Sequence, residues 1–259
     1  MSYYMRQGYA LVATDKNETG HYFGGMSYHS GAECPICKIP LILLADLDCS
    51  QIRNHEESKL FRSLDRLPFY YCWQCCAEQL TYIVTDSNNI KVLRNNGEKQ
   101  GNDFPYENFP LNFPKRPVSL VPVEYDVAKL LAVYQEVDEY WLSDEDLEKI
   151  QRSIAPLRHP DFSKNDVNRH QLGGLPRLIQ GHERVGCPNE KCKSHKSFKE
   201  GYATQMLELA VFCNDPHSGL PMVESVDSLE DPTCWNEWVQ VVYWVCEECL
   251  AIAASNRCD

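Results

Sequence analysis

Three Cys-x-x-Cys pairs constrain this chain more than any other feature of its sequence. They are Cys34–Cys37 (CPIC), Cys72–Cys75 (CWQC) and Cys246–Cys249 (CEEC), joined by a fourth cluster on a longer spacer, Cys187–Cys192 (CPNEKC). The chain holds 13 cysteines in 259 residues, and that many placed at random would form roughly one such pair or fewer. Two thiolates separated by two residues can face a common centre. Two such turns brought together make the closed four-sulfur cage that structural zinc prefers, with backbone N–H groups of the turns bonding to the sulfurs. Pro35 and Pro188 follow the first cysteine of their clusters, where a preset φ suits a tight turn. The spacing predicts two structural zinc ions per chain. The first would be held by Cys34, Cys37, Cys72 and Cys75, the second by Cys187, Cys192, Cys246 and Cys249. Cys76 is an alternative ligand in the first, since CWQCC leaves the register open. His195, three residues after Cys192, would make the second a Cys3His site. The competing account is buried free thiols, which pack as small apolar side chains. It takes Cys49, Cys213, Cys234 and Cys258 outright, because they lack partners at ligand spacing.

Clustered thiols act as metal ligands where the surroundings are reducing. The first residues, MSYYMRQGYALVATDKN, lack a basic stretch followed by an apolar one, so no secretory leader is expected. The longest apolar runs, LILLA (41–45) and LAIAA (250–254), are far too short to cross a bilayer. A cytoplasmic protein with no membrane association is expected. The formal net charge of -12 disfavours nucleic acid as the main partner, because phosphate backbones require Lys and Arg. It suits a basic protein partner or plain solubility.

Strand-like segments dominate: GYALVAT (8–14), PLILLAD (40–46), FYYCW (69–73), LTYIVTD (80–86), PVSLVPVEY (117–125), TQMLELAVFCND (204–215) and WVQVVYWVC (238–246). Their β-branched, aromatic and aliphatic residues fit a pleated, half-buried surface. Residues 94–117 are rich in Gly, Asn and Pro and read as a long irregular connection. Helices are expected over 126–141, from its periodicity, and over 143–154, capped by Ser143. The same features recur in the same order. Gly24–Gly25, CPIC, LLADLDC (43–49) and FYYCWQC (69–75) are matched by Gly173–Gly174, CPNEKC, LELAVFC (207–213) and VYWVCEEC (242–249). The expected architecture is α+β but β-rich: an internally duplicated, pseudo-twofold arrangement of mixed sheets with short helices. Residues 1–125 and 161–259 would form the halves, each with a zinc site, joined by a helical connector at 126–160.

Closed four-sulfur sites leave no coordination position for water, so they stabilise rather than catalyse. No HExxH, GxSxG or phosphate-binding glycine loop is present, and the eight histidines are scattered. No catalytic residues are expected. A hydrolase around His29, His170 or His182 is the weakest reading.

Three stretches resemble the TYPP-type domain of bacterial YwqG-like proteins and eukaryotic programmed-cell-death-protein-two-like proteins. They are HQLGGLPRLIQG (170–181), ECPICKIPLILLADLD (33–48) and LFRSLDRLPFYYCWQCC (60–76). The first half lacks a Pro-x-Trp after its glycine pair, and the second knuckle has four residues between its sulfurs where two are usual. The resemblance implies a β-rich pseudo-twofold fold and, for the eukaryotic branch, a protein-binding chaperone role. The expected function is a zinc-stabilised, non-catalytic protein-binding module (chaperone, adaptor or immunity-type binder) for a basic protein. The alternative is an RNA-associated processing factor using its zinc knuckles, supported locally by Lys191, Lys193, Lys196 and Lys199 with Phe198 and Tyr202.

Overall fold

The structure, a computed structural model, describes residues 8–16, 19–52, 59–75, 79–101, 104–123, 170–174, 176, 178, 183–199, 206–215, 218–222 and 239–258. The strands are β1 Gly8–Ala13, β2 His21–Phe23, β3 Ile42–Asp48, β4 Arg66–Tyr71, β5 Leu80–Asp86, β6 Asn89–Asn95, β7 Arg116–Val123, β8 Gln171–Gly173, β9 Leu207–Cys213, β10 Val239–Val245 and β11 Ile252–Cys258. Two short helices accompany them, α1 Lys59–Ser63 and α2 Lys193–Lys199. No helix among the described residues is long and apolar enough to cross a membrane. Both expected helices and the connector at 126–160 lie outside the described residues.

All eleven strands join one sheet in the order β4-β3-β2-β7-β1-β8-β9-β10-β11-β5-β6. Every ladder between named strands is antiparallel. The expectation of mixed sheets is therefore corrected to a single antiparallel one. The reason is connectivity: β3 and β4, β5 and β6, β9 and β10, and β10 and β11 pair directly with their neighbours in sequence, as hairpin-like connections require.

The sheet curls until its two flanks touch. Tyr82 on β5 is fully buried, donates its hydroxyl to the Pro68 carbonyl at 2.8 Å and accepts the Tyr70 N–H at 3.1 Å. Pro68 and Tyr70 belong to β4, at the opposite end of the strand order. The apolar run of β10, broken only by the buried Gln240, has a matching explanation, since both faces of this strand are covered. Val239, Val241, Tyr243 and Val245 enter the main core, while Val242 and Trp244 enter a second cluster with Val185, Met206 and Cys187. An aromatic group crosses the molecule within the main core. Phe69 of β4 lies 4.9 Å from both Phe212 of β9 and Tyr243 of β10, and the Tyr243 hydroxyl donates to the Tyr70 carbonyl at 3.2 Å.

Six elements among the described residues are not foreseen by sequence patterning: β2, β6, β8, β11, α1 and α2. Strand β2 has three residues, too few for a period. Strand β6 begins ahead of the stretch expected to be irregular and runs into it; with only Ile90 buried, it offers little apolar signal. Helix α1 is a five-residue turn within the loop joining β3 to β4.

Candidate metal centres

The eight cysteines converge as two separate groups of four, and within each group all four sulfurs lie within 4.8 Å of one another. In the first, Cys34 Sγ is 3.6 Å from Cys75 Sγ and Cys37 Sγ is 3.7 Å from Cys72 Sγ. In the second, Cys187 Sγ is 3.6 Å from Cys249 Sγ and Cys192 Sγ is 3.7 Å from Cys246 Sγ. A disulfide needs about 2.05 Å between sulfurs, so these are not disulfides. A tetrahedron with metal–sulfur bonds of about 2.3 Å places its corners about 3.8 Å apart. Both donor sets fit that requirement, and each group can hold a metal ion.

Local backbone geometry builds the cages. The turns at Cys34–Cys37 and Cys246–Cys249 share one design. Cys34 N–H donates to the Ile39 carbonyl and Lys38 N–H returns to the Cys34 carbonyl, both at 3.0 Å. Cys246 N–H likewise donates to Ala251 at 2.9 Å, and Leu250 N–H returns to Cys246 at 2.8 Å. The residue after the second cysteine takes a left-handed conformation in each, Lys38 at φ 62 and Leu250 at φ 57. Non-glycine residues adopt that region at a cost, here offset by two backbone bonds and convergent sulfurs. Cys72–Cys75 closes instead through a 3-10 turn over Trp73–Cys75. The longer spacer of Cys187–Cys192 is taken up by Asn189, whose side chain accepts from Lys191 N–H and whose carbonyl accepts from Cys192 N–H.

The partners polarise the thiols. Cys34 is pulled down to about 4 by a hydrogen bond from the Cys72 thiol and by the N–H groups of Cys37 and Ile36, against the opposing effect of burial. Cys246 is pulled down to about 5, chiefly by the Cys187 thiol and with help from the N–H groups of Cys249 and Glu248. Cys72 and Cys187 are pushed up correspondingly. Each cage therefore favours thiolate character in at least one sulfur, the form a metal takes.

Each centre closes the open end of a strand pair. Cys37 and Cys72 flank the Ile42–Tyr71 end of the β3–β4 ladder, and Cys192 and Cys246 flank the Leu207–Val245 end of β9–β10. Cys34, Cys72 and Cys75 belong to the main core, whereas Cys187, Cys192 and Cys246 belong to the second cluster. The fourth corner of the second group is a sulfur. His195 stands outside it, its Nδ1 donating to the Cys187 carbonyl at 2.6 Å, which supports the turn from behind. Cys76 and Cys234 lie outside the described residues. Cys49 and Cys213 are fully buried and belong to neither group.

Asn95 on β6 was not singled out by sequence, since an asparagine ending a polar strand carries no signal of its own. Its Nδ2 donates to Cys34 Sγ at 3.1 Å, joining the far end of the sheet to the first centre. His21 was also passed over, although a signal was present: HYFGG (21–25) and HQLGG (170–174) share one spacing. His21 Nδ1 accepts the Asp48 N–H and His170 Nδ1 accepts the Cys213 N–H, each at 3.0 Å. Both glycine pairs have positive φ, and at Gly24 an added Cβ would lie 2.4 Å from the Pro114 carbonyl oxygen.

The remaining histidines assemble nothing reactive among the described residues. His29 bonds Tyr70 at 3.0 Å and stacks on Tyr28. His170 lies 3.4 Å from Asp215, which also accepts from Ser218. That order puts the carboxylate between serine and histidine, where the imidazole does not serve the hydroxyl as base. His182 lies outside the described residues. Comparison of the chain with protein-family models, with curated proteins and with solved structures finds no match in any of the three.

Proposed function

We propose that this chain is a zinc-stabilised, non-catalytic protein-binding module of the cytoplasm whose partner is a basic protein. The observation that carries the metal half of this reading is the pair of closed four-sulfur groups with separations of 3.6 and 3.7 Å. Four thiolates in tetrahedral array are the donor set of structural zinc. They fill every position, so the ion's role is to hold strand ends. The net charge of -12 supports a basic partner through electrostatic steering.

Internal duplication belongs to the same proposal and has support from topology. Outward from the central β1–β7 pair, β2, β3 and β4 follow on one side and β8, β9 and β10 on the other. Around that centre the pairing of β1 with β8 mirrors the pairing of β7 with β2. His21 and His170, each three residues before a Gly-Gly pair, both bond the last residue of the following long strand. A duplicated scaffold of this kind agrees with the likeness to TYPP-type domains, and with it a chaperone or adaptor role.

Elemental analysis of protein purified under reducing conditions tests the metal half. Two zinc ions per chain are expected, with one remaining in Cys34→Ser and one in Cys246→Ser; a wild-type chain without zinc would refute it. Capture from cell extract with wild type and Cys34→Ser tests the binding half. A basic protein should be retained by the first and reduced with the second, whereas recovery of general chaperones alone would remove its support. The RNA-associated alternative rests on Lys191, Lys193 and Lys196, all exposed beside the second centre. Salt-sensitive RNA retention abolished by Lys193→Glu with Lys196→Glu would favour it instead.

A further inference from the structure

A recess of about 450 Å³ opens beside β2 and β3, and no cysteine lines it. Its size falls in the range of small-ligand sites, roughly 300–1,000 Å³. The exposure of its lining residues orders them by depth. Phe113 and Asp46 lie deep at 1% and 7%, while Met26 and Tyr28 stand at the mouth at 77% and 45%. Met26 and Tyr28 thus give the mouth an apolar rim above a deeper aromatic floor.

The charges in this recess are unevenly matched. Asp46 is already engaged, receiving Arg66 Nε at 3.0 and 2.9 Å on its two oxygens and the Tyr28 hydroxyl at 3.1 Å. Arg66, which stands behind the lining, therefore offsets the charge of Asp46, on which Lys115 acts only without direct contact. Lys115 is exposed and forms no ion pair with any described residue; its Nζ rests over the Tyr22 ring, 3.8 Å from the centroid. One net positive charge thus stands at an aromatic opening in a chain whose net charge is -12. Gly25 on the lining sits at φ +102, a backbone conformation that residues with a side chain rarely adopt.

We propose that this recess binds a carboxylate carried on an aromatic or branched apolar body. Lys115 takes the charge, and Tyr22, Tyr28, Met26 and Phe113 take the body. A single ammonium suits a monoanion, since a phosphate dianion is normally met by several cationic or N–H donors. The same chemistry is offered by a free acid or by the C-terminal residue of a peptide. The proposal goes beyond the metal-stabilised binder reading and does not depend on it.

The test is calorimetric titration of the intact protein with 3-phenylpropionate and with an N-acetylated tetrapeptide ending in phenylalanine, each beside its amide. At least one acid should bind, and its amide should bind about tenfold more weakly, as expected for loss of one charge-assisted contact. Lys115→Gln should bring the acid down to the affinity of the amide while leaving the amide's affinity and the circular-dichroism spectrum of the folded protein unchanged, because Lys115 is exposed. Binding of the free acid alone identifies a small-molecule site; tighter binding of the peptide identifies a chain terminus. The proposal is overturned if neither acid binds at millimolar concentration, if acid and amide bind alike, or if Lys115→Gln preserves the difference. Zinc content measured on the same samples separates these outcomes from failure of the metal reading.

Discussion

His21 shows how a single residue can carry pH dependence in this fold. It is 2% exposed, and its Nδ1 accepts the Asp48 N–H at 3.0 Å, which requires the ring to be neutral there. Burial lowers its pKa below the ordinary value, outweighing the nearby Asp48 carboxylate, and burial lowers that of His29 as well. The unfolded chain, with histidine near about 6.5, therefore takes up these protons first as the pH falls. The stabilisation is complete above about pH 6.5 and is lost progressively as the pH falls from there toward the folded-state value. Thermal unfolding from pH 7.5 to 5.5 should show a falling midpoint, with a shallower fall in His21→Asn, whose amide oxygen can accept the same N–H. Both proteins carry identical cysteine centres, so the difference between their slopes isolates His21. Equal slopes would contradict this assignment.

At the scale of elements, the two cysteine centres act on different seams. The first lies where the curled sheet meets itself. Glu98 N–H donates to the Cys75 carbonyl at 3.1 Å, Gln100 N–H to Gln74 at 3.0 Å, and Asn95 reaches Cys34 at 3.1 Å. An isolated bridge between Ser30 and Asn89 extends the same closure. The second centre clips β9 to β10 on the opposite face of the sheet. Because metal binding and local folding are coupled, each centre should protect its own surroundings. In hydrogen exchange, Cys34→Ser should accelerate the amides of Tyr70, Glu98 and Gln100 while leaving β9–β10 protected. Cys246→Ser should do the reverse. Uniform acceleration in both variants would show that neither centre acts as a local clip.

Across the whole molecule, the expected halves share a core. Phe69 comes from the first and Phe212 and Tyr243 from the second, with ring centroids 4.9 Å apart in two of the three pairs. β1 is paired to β8 and β5 to β11, each ladder joining the first half to the second. Such a sheet has no internal boundary at which one half could unfold alone. Phe69→Ala should cost about 3–5 kcal/mol, the range for emptying a buried phenylalanine site. The loss should appear as one transition, with circular dichroism and tryptophan fluorescence giving the same midpoint. Separate midpoints would mean the halves are independent.

The cysteine pattern, the long apolar strands and the acidic balance were legible in the sequence because each is local. A two-residue spacer aims two sulfurs together, and a β-branched run such as that of β10 fits a pleated strand wherever it lies. Spacing and order grouped the eight cysteines into two sets of four while leaving Cys76 and His195 open as alternative ligands. The sheet was not legible in that way. Its antiparallel order, the joining of β5 to β11 and the contact of Tyr82 with β4 depend on register between segments distant in sequence, which no local periodicity encodes. The three-residue β2 and the half-exposed β6 became strands because neighbours supplied their hydrogen bonds. Asn95 reaches Cys34 only because the sheet curls. The two four-cysteine groups are written in the chain, while the tertiary structure decides which seams they close.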